Sequence, residues 1–224
     1  FGSENILSVR LENLPESSRY YTGAGLYRGV RLVILNPVHV AHWGTFVTTP
    51  VVSVDKAIVD VRTNVCVRTK QKGKIKLVTE ILDQEGKKVA KAISTSHQAD
   101  SIFYHQKLQM KSPHLWSVSS PYLYSVLSKV FVDGKMADCY LTTMGIRSID
   151  FDTNKGFLLN GQPFKLKGVC LHHDLGPIGA AVNVAALKRQ LRLLKEMGSN
   201  AIRTSHNPPS REFLQLTDSM GFVV

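Results

Sequence analysis

Between residues 49 and 149 the chain is cut by turn signals into short pieces of alternating apolar and polar side chains. This punctuation limits the fold more than any other feature. Val59-Asp60-Val61-Arg62, Val65-Cys66-Val67-Arg68 and Ile75-Lys76-Leu77-Val78-Thr79-Glu80-Ile81-Leu82 put every second side chain on one face, the period of a half-buried strand. Asp83-Gln84-Glu85-Gly86 is a hairpin signal before Lys88–Ile93. Ile102–Leu108 and Tyr122–Leu127 follow, and Asp133-Gly134 turns the chain into Ala137–Leu141. About seven short strands with turns about every 8 to 12 residues predict an immunoglobulin-like β-sandwich over 49–149.

The flanks read differently. Residues 1–48 hold strand patterns at Ile6–Leu11, Arg31–Leu35 and Val38–Trp43, around the irregular stretch PESSRYYTGAGLYRG. These are too few strands to close a sandwich, so the region reads as the tail of an incomplete β-domain. After Asp150, Asn160-Gly161 marks a tight hairpin, and an apolar strand then ends at His172-His173-Asp174. Val184, Leu187, Leu191 and Leu194 next recur at helical spacing, with Asn183 as N-cap and Gly198 as C-cap. Strand Ala201-Ile202-Arg203, a helix over about Ser210–Met220 and strand Phe222-Val223-Val224 complete an order typical of parallel α/β folds. The expected class is mainly β, with an incomplete α/β segment over 150–224.

A net charge of +11 raises the question of nucleic acid. The cations are dispersed, however. Lys70, Lys72, Lys74 and Lys76 alternate as a strand's outer face would, and Lys188, Arg189, Arg192 and Lys195 fall on a helix face. They read as solvated surface, and no nucleic-acid partner is expected. Apolar residues make up 43% of the 224, with no run long enough to span a membrane. Phe1-Gly2-Ser3-Glu4-Asn5 has no signal-peptide pattern, which leaves periplasmic, secreted and cytoplasmic locations all open. Cys66, Cys139 and Cys170 lack CxxC spacing and sit in apolar strand contexts, so buried free thiols are expected.

Functional groups of parallel α/β folds gather at the C-terminal ends of strands. Both strands that reach such an end here finish on histidine, at His172-His173-Asp174 and at Arg203-Thr204-Ser205-His206. Adjacent parallel strands would bring the two clusters to one rim. Pro208-Pro209 suits a helix entry and stiffens the loop behind His206. The histidines have no HxH or HExxH spacing, so no metal site is expected.

Residues 200–224 resemble the first signature of glycoside hydrolase family 2. The matching positions are Asn200, Ile202, Arg203, Thr204-Ser205, His206, Asn207, Pro208, Asp218 and Gly221 before Phe222-Val223-Val224. Asn207 stands where the family often has Tyr. GFLLNGQPFKLKGVCLHHD resembles the family's approach to its first barrel strand, and LWSVSSPYLYSV and TTMGIRSI resemble late strands of its immunoglobulin-like domain. SSRYYTGAGLYRGV is similar to the end of its sugar-binding jelly roll. The resemblance covers essentially the whole chain in order and is greatest to bacterial β-galactosidases. It implies jelly-roll strands over 1–48, the sandwich over 49–149 and the first βαβαβ part of a TIM barrel over 150–224.

The resemblance also implies roles. His172 and His206 would line the pocket for the terminal sugar, and Arg203 would stand beside the catalytic carboxylates. Asp174 is a further rim candidate. Arg19 occupies a loop position from which some relatives reach an Asp into the pocket, so a cation there departs from the pattern. Retaining glycosidases need an acid/base and a nucleophile about 5 to 5.5 Å apart, and the family's glutamates follow later barrel strands. Glu80, Glu85, Glu196 and Glu212 do not fall at barrel strand ends. The expectation is a fragment of a retaining β-galactosidase, inactive alone, whose partner is carbohydrate. The full-length enzyme could be a homo-oligomer and could use Mg²⁺ or Na⁺. β-Glucuronidase and β-mannosidase are rivals within the family, and a non-catalytic carbohydrate-binding or adhesion module is a rival outside it.

Overall fold

The computed structural model describes residues 4–12, 15, 25–26, 28–69, 73–97 and 101–224. Seven strands among them build the sandwich: β1 (Val38–Val52), β2 (Lys56–Val67), β3 (Lys74–Leu82), β4 (Lys88–His97), β5 (Ser101–Lys111), β6 (Tyr124–Val132) and β7 (Lys135–Met144). They form two antiparallel sheets, of order β1-β2-β5 and β4-β3-β6-β7. The alternation in the sequence sets the register. Ala57, Val59, Val61, Val65 and Val67 of β2 turn inward, as do Ile75, Leu77 and Ile81 of β3. Each such burial contributes about 1.5–3 kcal/mol for a Val, Leu or Ile. A polar waist of Thr63, Thr79, Gln106 and Ser128 is also buried, and the Gln106 side chain donates to Ser94 Oγ at 3.0 Å.

The sandwich is found as expected, with one correction to its start. Strand β1 runs through the expected 48/49 boundary, because Val38–Val40 pair with Val65–Val67 of β2. Val38–Trp43 thus belongs to the sandwich, and the two patterns within 59–68 are one strand, β2. The strands expected at Ile6–Leu11 and Arg31–Leu35 are not formed. A strand needs a hydrogen-bonding neighbour, and among the described residues these segments have none, with Ile6, Leu7, Leu32 and Ile34 exposed.

Beyond the sandwich, β8 (Ile149–Asp152), β9 (Gly156–Leu159) and β10 (Gln162–Pro163) make a small antiparallel sheet. Its last turn is the expected Asn160-Gly161, with φ of 52° and 74°. Strands β11 (Gly168–Leu171) and β12 (Ala201–Thr204) pair in parallel, and Ala201 bridges in parallel to Val223. The connections are α1 (Val184–Glu196) and α2 (Arg211–Met220). Asn183 caps α1 by accepting from the Ala186 amide, and Ser210 caps α2 by accepting from Phe213. Leu187, Leu191, Ile202, Phe213 and Phe222 form the core between helices and strands. Among the described residues, no helix is long and apolar enough to cross a membrane.

Sandwich and α/β segment meet at Trp116, which is 1% exposed. Its amide donates to Ile146 O at 2.8 Å, and its Nε1 donates to Asp218 O at 2.8 Å, near the end of α2. Arg147 lies 4.5 Å over the indole ring, and the Asn160 amide donates to Trp116 O. Lys195 donates to Val118 O at 3.1 Å and to Met220 O, so it is a junction residue and not the solvated cation expected from its helix. Burial lowers the Lys195 pKa and raises that of Asp218, which Arg147 opposes.

Candidate functional site

Parallel pairing of β11 with β12 sets Cys170 opposite Arg203 and Leu171 opposite Thr204, so the two strand ends share one rim. Val169, Leu171 and Ile202 pack towards the helices. The alternation therefore turns Cys170 and Arg203 to the other face of the strand pair. There Arg203 Nη1 lies 4.0 Å from Cys170 Sγ, and both residues are exposed. Among the described residues no carboxylate pairs with Arg203, although carboxylate ion pairs occur elsewhere, as at Arg31–Glu212 and Arg192–Glu196.

The rim is held by the backbone. The Ser205 amide donates to Leu171 O at 2.8 Å, which locks the β12 end to the β11 end. His172 and His206 face each other with ring centroids 6.5 Å apart and planes at 90°. His206 is exposed and follows a cis Ser205–His206 peptide. The neighbouring His173 takes a different part. Its Nδ1 accepts from the Asn207 amide at 2.9 Å, which ties the two loops together. Asp174 is exposed and does not cap the short 3₁₀ turn Gly176–Ile178, which has no side-chain cap.

A cleft beside the strand ends divides the expected residues. Leu171, Leu175, Leu187 and Phe213 give it apolar walls, and His172, His173, Asp174 and Ser205 also line it. Neither Arg203 nor His206 does. It lies on the helix side of the strand ends, whereas Arg203 points to the opposite face. Arg19 lies outside the described residues. The cysteines are free but less buried than expected: Cys66 is half-buried, and Cys139 and Cys170 are exposed, because each points away from its core. Among the described residues, no three His, Cys, Asp or Glu side chains are arranged to hold a metal ion.

The sequence pattern matches the model of "Glycosyl hydrolases family 2" over residues 38–147 and that family's TIM barrel domain over 152–224. The chain belongs to glycosyl hydrolase family 2. The sandwich is the family's immunoglobulin-like domain, and β11–α1–β12–α2 is the start of its TIM barrel. A β-galactosidase of Bacteroides ovatus is 43% identical over 98% of this chain and 26% of its own length. A putative β-glucuronidase of Formosa agariphila is 36% identical over 99% of the chain and 21% of its length. A crystal structure of a family 2 member from Bacteroides cellulosilyticus superposes with a TM-score of 0.87 at 42% identity, over 91% of this chain and 27% of that one. The chain thus spans about a quarter of the length of these relatives. The family's barrel gives the Arg203 face its meaning, since the face away from the helices is the barrel interior.

The bond between His173 and Asn207 was not foreseen from the sequence, nor was any role for Arg28, whose guanidinium donates to Pro208 O and, at 3.5 Å, to Pro209 O. Arg28 lies within the GLYRGV stretch that carries the family resemblance, and that was its only signal.

Proposed function

We propose that this chain is part of a retaining exo-glycosidase that removes terminal β-D-galactosyl groups, with Arg203, His206 and His172 forming one wall of its sugar pocket. The observation that carries this reading is the shared rim of β11 and β12, with His172 and His206 facing each other at 6.5 Å. A neutral imidazole donates to one sugar hydroxyl and accepts from another. The exposed guanidinium of Arg203 offers a planar fork for a carboxylate and would favour the ionised form of a nucleophilic glutamate. The two catalytic carboxyl groups belong to barrel strands of the full-length protein that lie outside this chain. The first would protonate the leaving oxygen while the second attacks the anomeric carbon, and water would then release the sugar with retention. Asp174, exposed beside His172, is a further candidate contact for sugar hydroxyls.

Galactose is favoured because, among relatives matched over 98% or more of this chain, identity to one named β-galactosidase, at 43%, exceeds the 36% and 31% to two named β-glucuronidase. Those latter relatives make a glucuronide the second reading. The test is hydrolysis of 4-nitrophenyl β-D-galactoside, β-D-glucuronide and β-D-mannoside by the full-length protein, with the first-formed anomer followed by NMR. The galactoside should be preferred and the β-anomer released first, and the 224-residue chain alone should be inert. Preference for the glucuronide, release of the α-anomer first, or turnover by the isolated chain would each overturn the reading.

A further inference from the structure

The loop Ser205–Ser210, which carries His206, is fastened on both sides of that histidine. Before it, the Ser205 amide donates to Leu171 O. Just after it, Asn207 donates to His173. The next two residues, Pro208 and Pro209, have no N–H, and their carbonyls precede helix α2. The first helical bond of α2 runs from the Leu214 amide to Ser210 O, so the helix supplies no donor to the two proline carbonyls. The donors come instead from about 180 residues upstream: Arg28 Nη2 to Pro208 O and Nη1 to Pro209 O.

A cation beside the positive end of a helix is unfavourable. Glu212 in the first turn of α2 offsets this, and it pairs with Arg31 at 3.4 Å. Two arginines three residues apart thus meet one loop and one helix start. A guanidinium reaches two adjacent carbonyls with fixed geometry, which an ammonium cannot do.

We propose that Arg28 is a positioning residue for His206: it fixes the Pro208-Pro209 turn so that the imidazole stands at the sugar subsite. This rests on the functional reading above. A misplacement of about 1 Å at a reacting site can cost about 100-fold in rate. The test uses the full-length protein carrying Arg28→Ala, Arg28→Lys or, as a control, Arg192→Ala, whose exposed pair with Glu196 lies away from the rim.

With 4-nitrophenyl β-D-galactoside, Arg28→Ala should lower kcat/KM by about 10- to 100-fold, mainly through KM. Arg28→Lys should restore less than half of that loss on a logarithmic scale, and Arg192→Ala should be unchanged. Hydrogen exchange should rise in peptides covering 203–213 of Arg28→Ala while those of β2 and β5 stay as in the parent. Unchanged kcat/KM, full rescue by lysine, or an exchange increase spread over the whole protein would overturn the proposal. If the parent protein hydrolyses none of the three aryl glycosides, the functional reading fails by itself. The exchange pattern of residues 203–213 then still decides whether Arg28 holds the loop.

Discussion

The two ends of the β11–β12 pair are built on opposite principles. At the entry end, the polar groups of Asn200, Trp116 and Lys195 have fixed partners. Asn200 accepts from the Lys167 amide at 2.7 Å and donates to Lys165 O, Trp116 caps a carbonyl of α2, and Lys195 joins Val118 to Met220. At the exit end, Arg203, His172 and His206 are exposed, and their loops are tied by Ser205, His173 and Asn207 and, from a distant segment, by Arg28. The first end uses its hydrogen bonds to hold two domains together, and the second presents Arg203, His172 and His206 to solvent. This division between a stabilising and a functional end is the one expected of a TIM barrel.

The comparison breaks most directly at the closed end. A Cβ at Gly221 would lie 2.3 Å from Val118 O, at a φ of +75° that side chains rarely adopt. Gly221→Val is therefore expected to cost at least about 4 kcal/mol, read as a fall in the urea unfolding midpoint of the full-length protein. Trp116→Ala should cost about 3–5 kcal/mol. Both should leave the sugar preference of any remaining folded protein unchanged.

At the open end the pattern should invert. Arg203→Ala should change stability by no more than about 0.5 kcal/mol yet lower kcat by about 100-fold or more. Without the guanidinium the nucleophile would ionise at higher pH, so the acid limb of the pH–rate profile should move upward. A stability loss as large as that of Trp116→Ala would erase the distinction between the ends.

The smallest effect belongs to neither end. Glu80, on the outer face of the sandwich, is held below its ordinary carboxylate range first by a hydrogen bond from Lys129 at 2.7 Å, and further by Lys88 and Lys91. A depressed folded pKa contributes stability that is present above the unfolded value of 4.5 and is lost as pH falls through the folded one. Glu80→Gln should cost about 1 kcal/mol or less at pH 7. Its urea midpoint should converge with that of the parent as the pH is lowered below 4.5.

What the sequence made legible follows the same division. Period-2 alternation and turn residues marked the sandwich, and Asn183, Ser210, Gly198 and Gly221 marked the helix ends, because these are local signals. Strand β1 was split between two domains because its pairing with β2 is a long-range fact. The junction was illegible for the same reason: Lys195 looks like any surface lysine until Val118 O is beside it. At the rim, Arg203 and His206 stood out through strand-end position and family signature. The bond of His173 to Asn207 and the reach of Arg28 did not, since one joins two loops and the other arrives from a distant segment.

Whether the exposed rim grips the sugar is decided by calorimetric titration of isopropyl thio-β-D-galactoside into full-length His206→Ala. The expected Kd is at least about tenfold weaker than the parent's, a loss of about 1.4 kcal/mol, with an unchanged melting temperature. An equal Kd for variant and parent would contradict it.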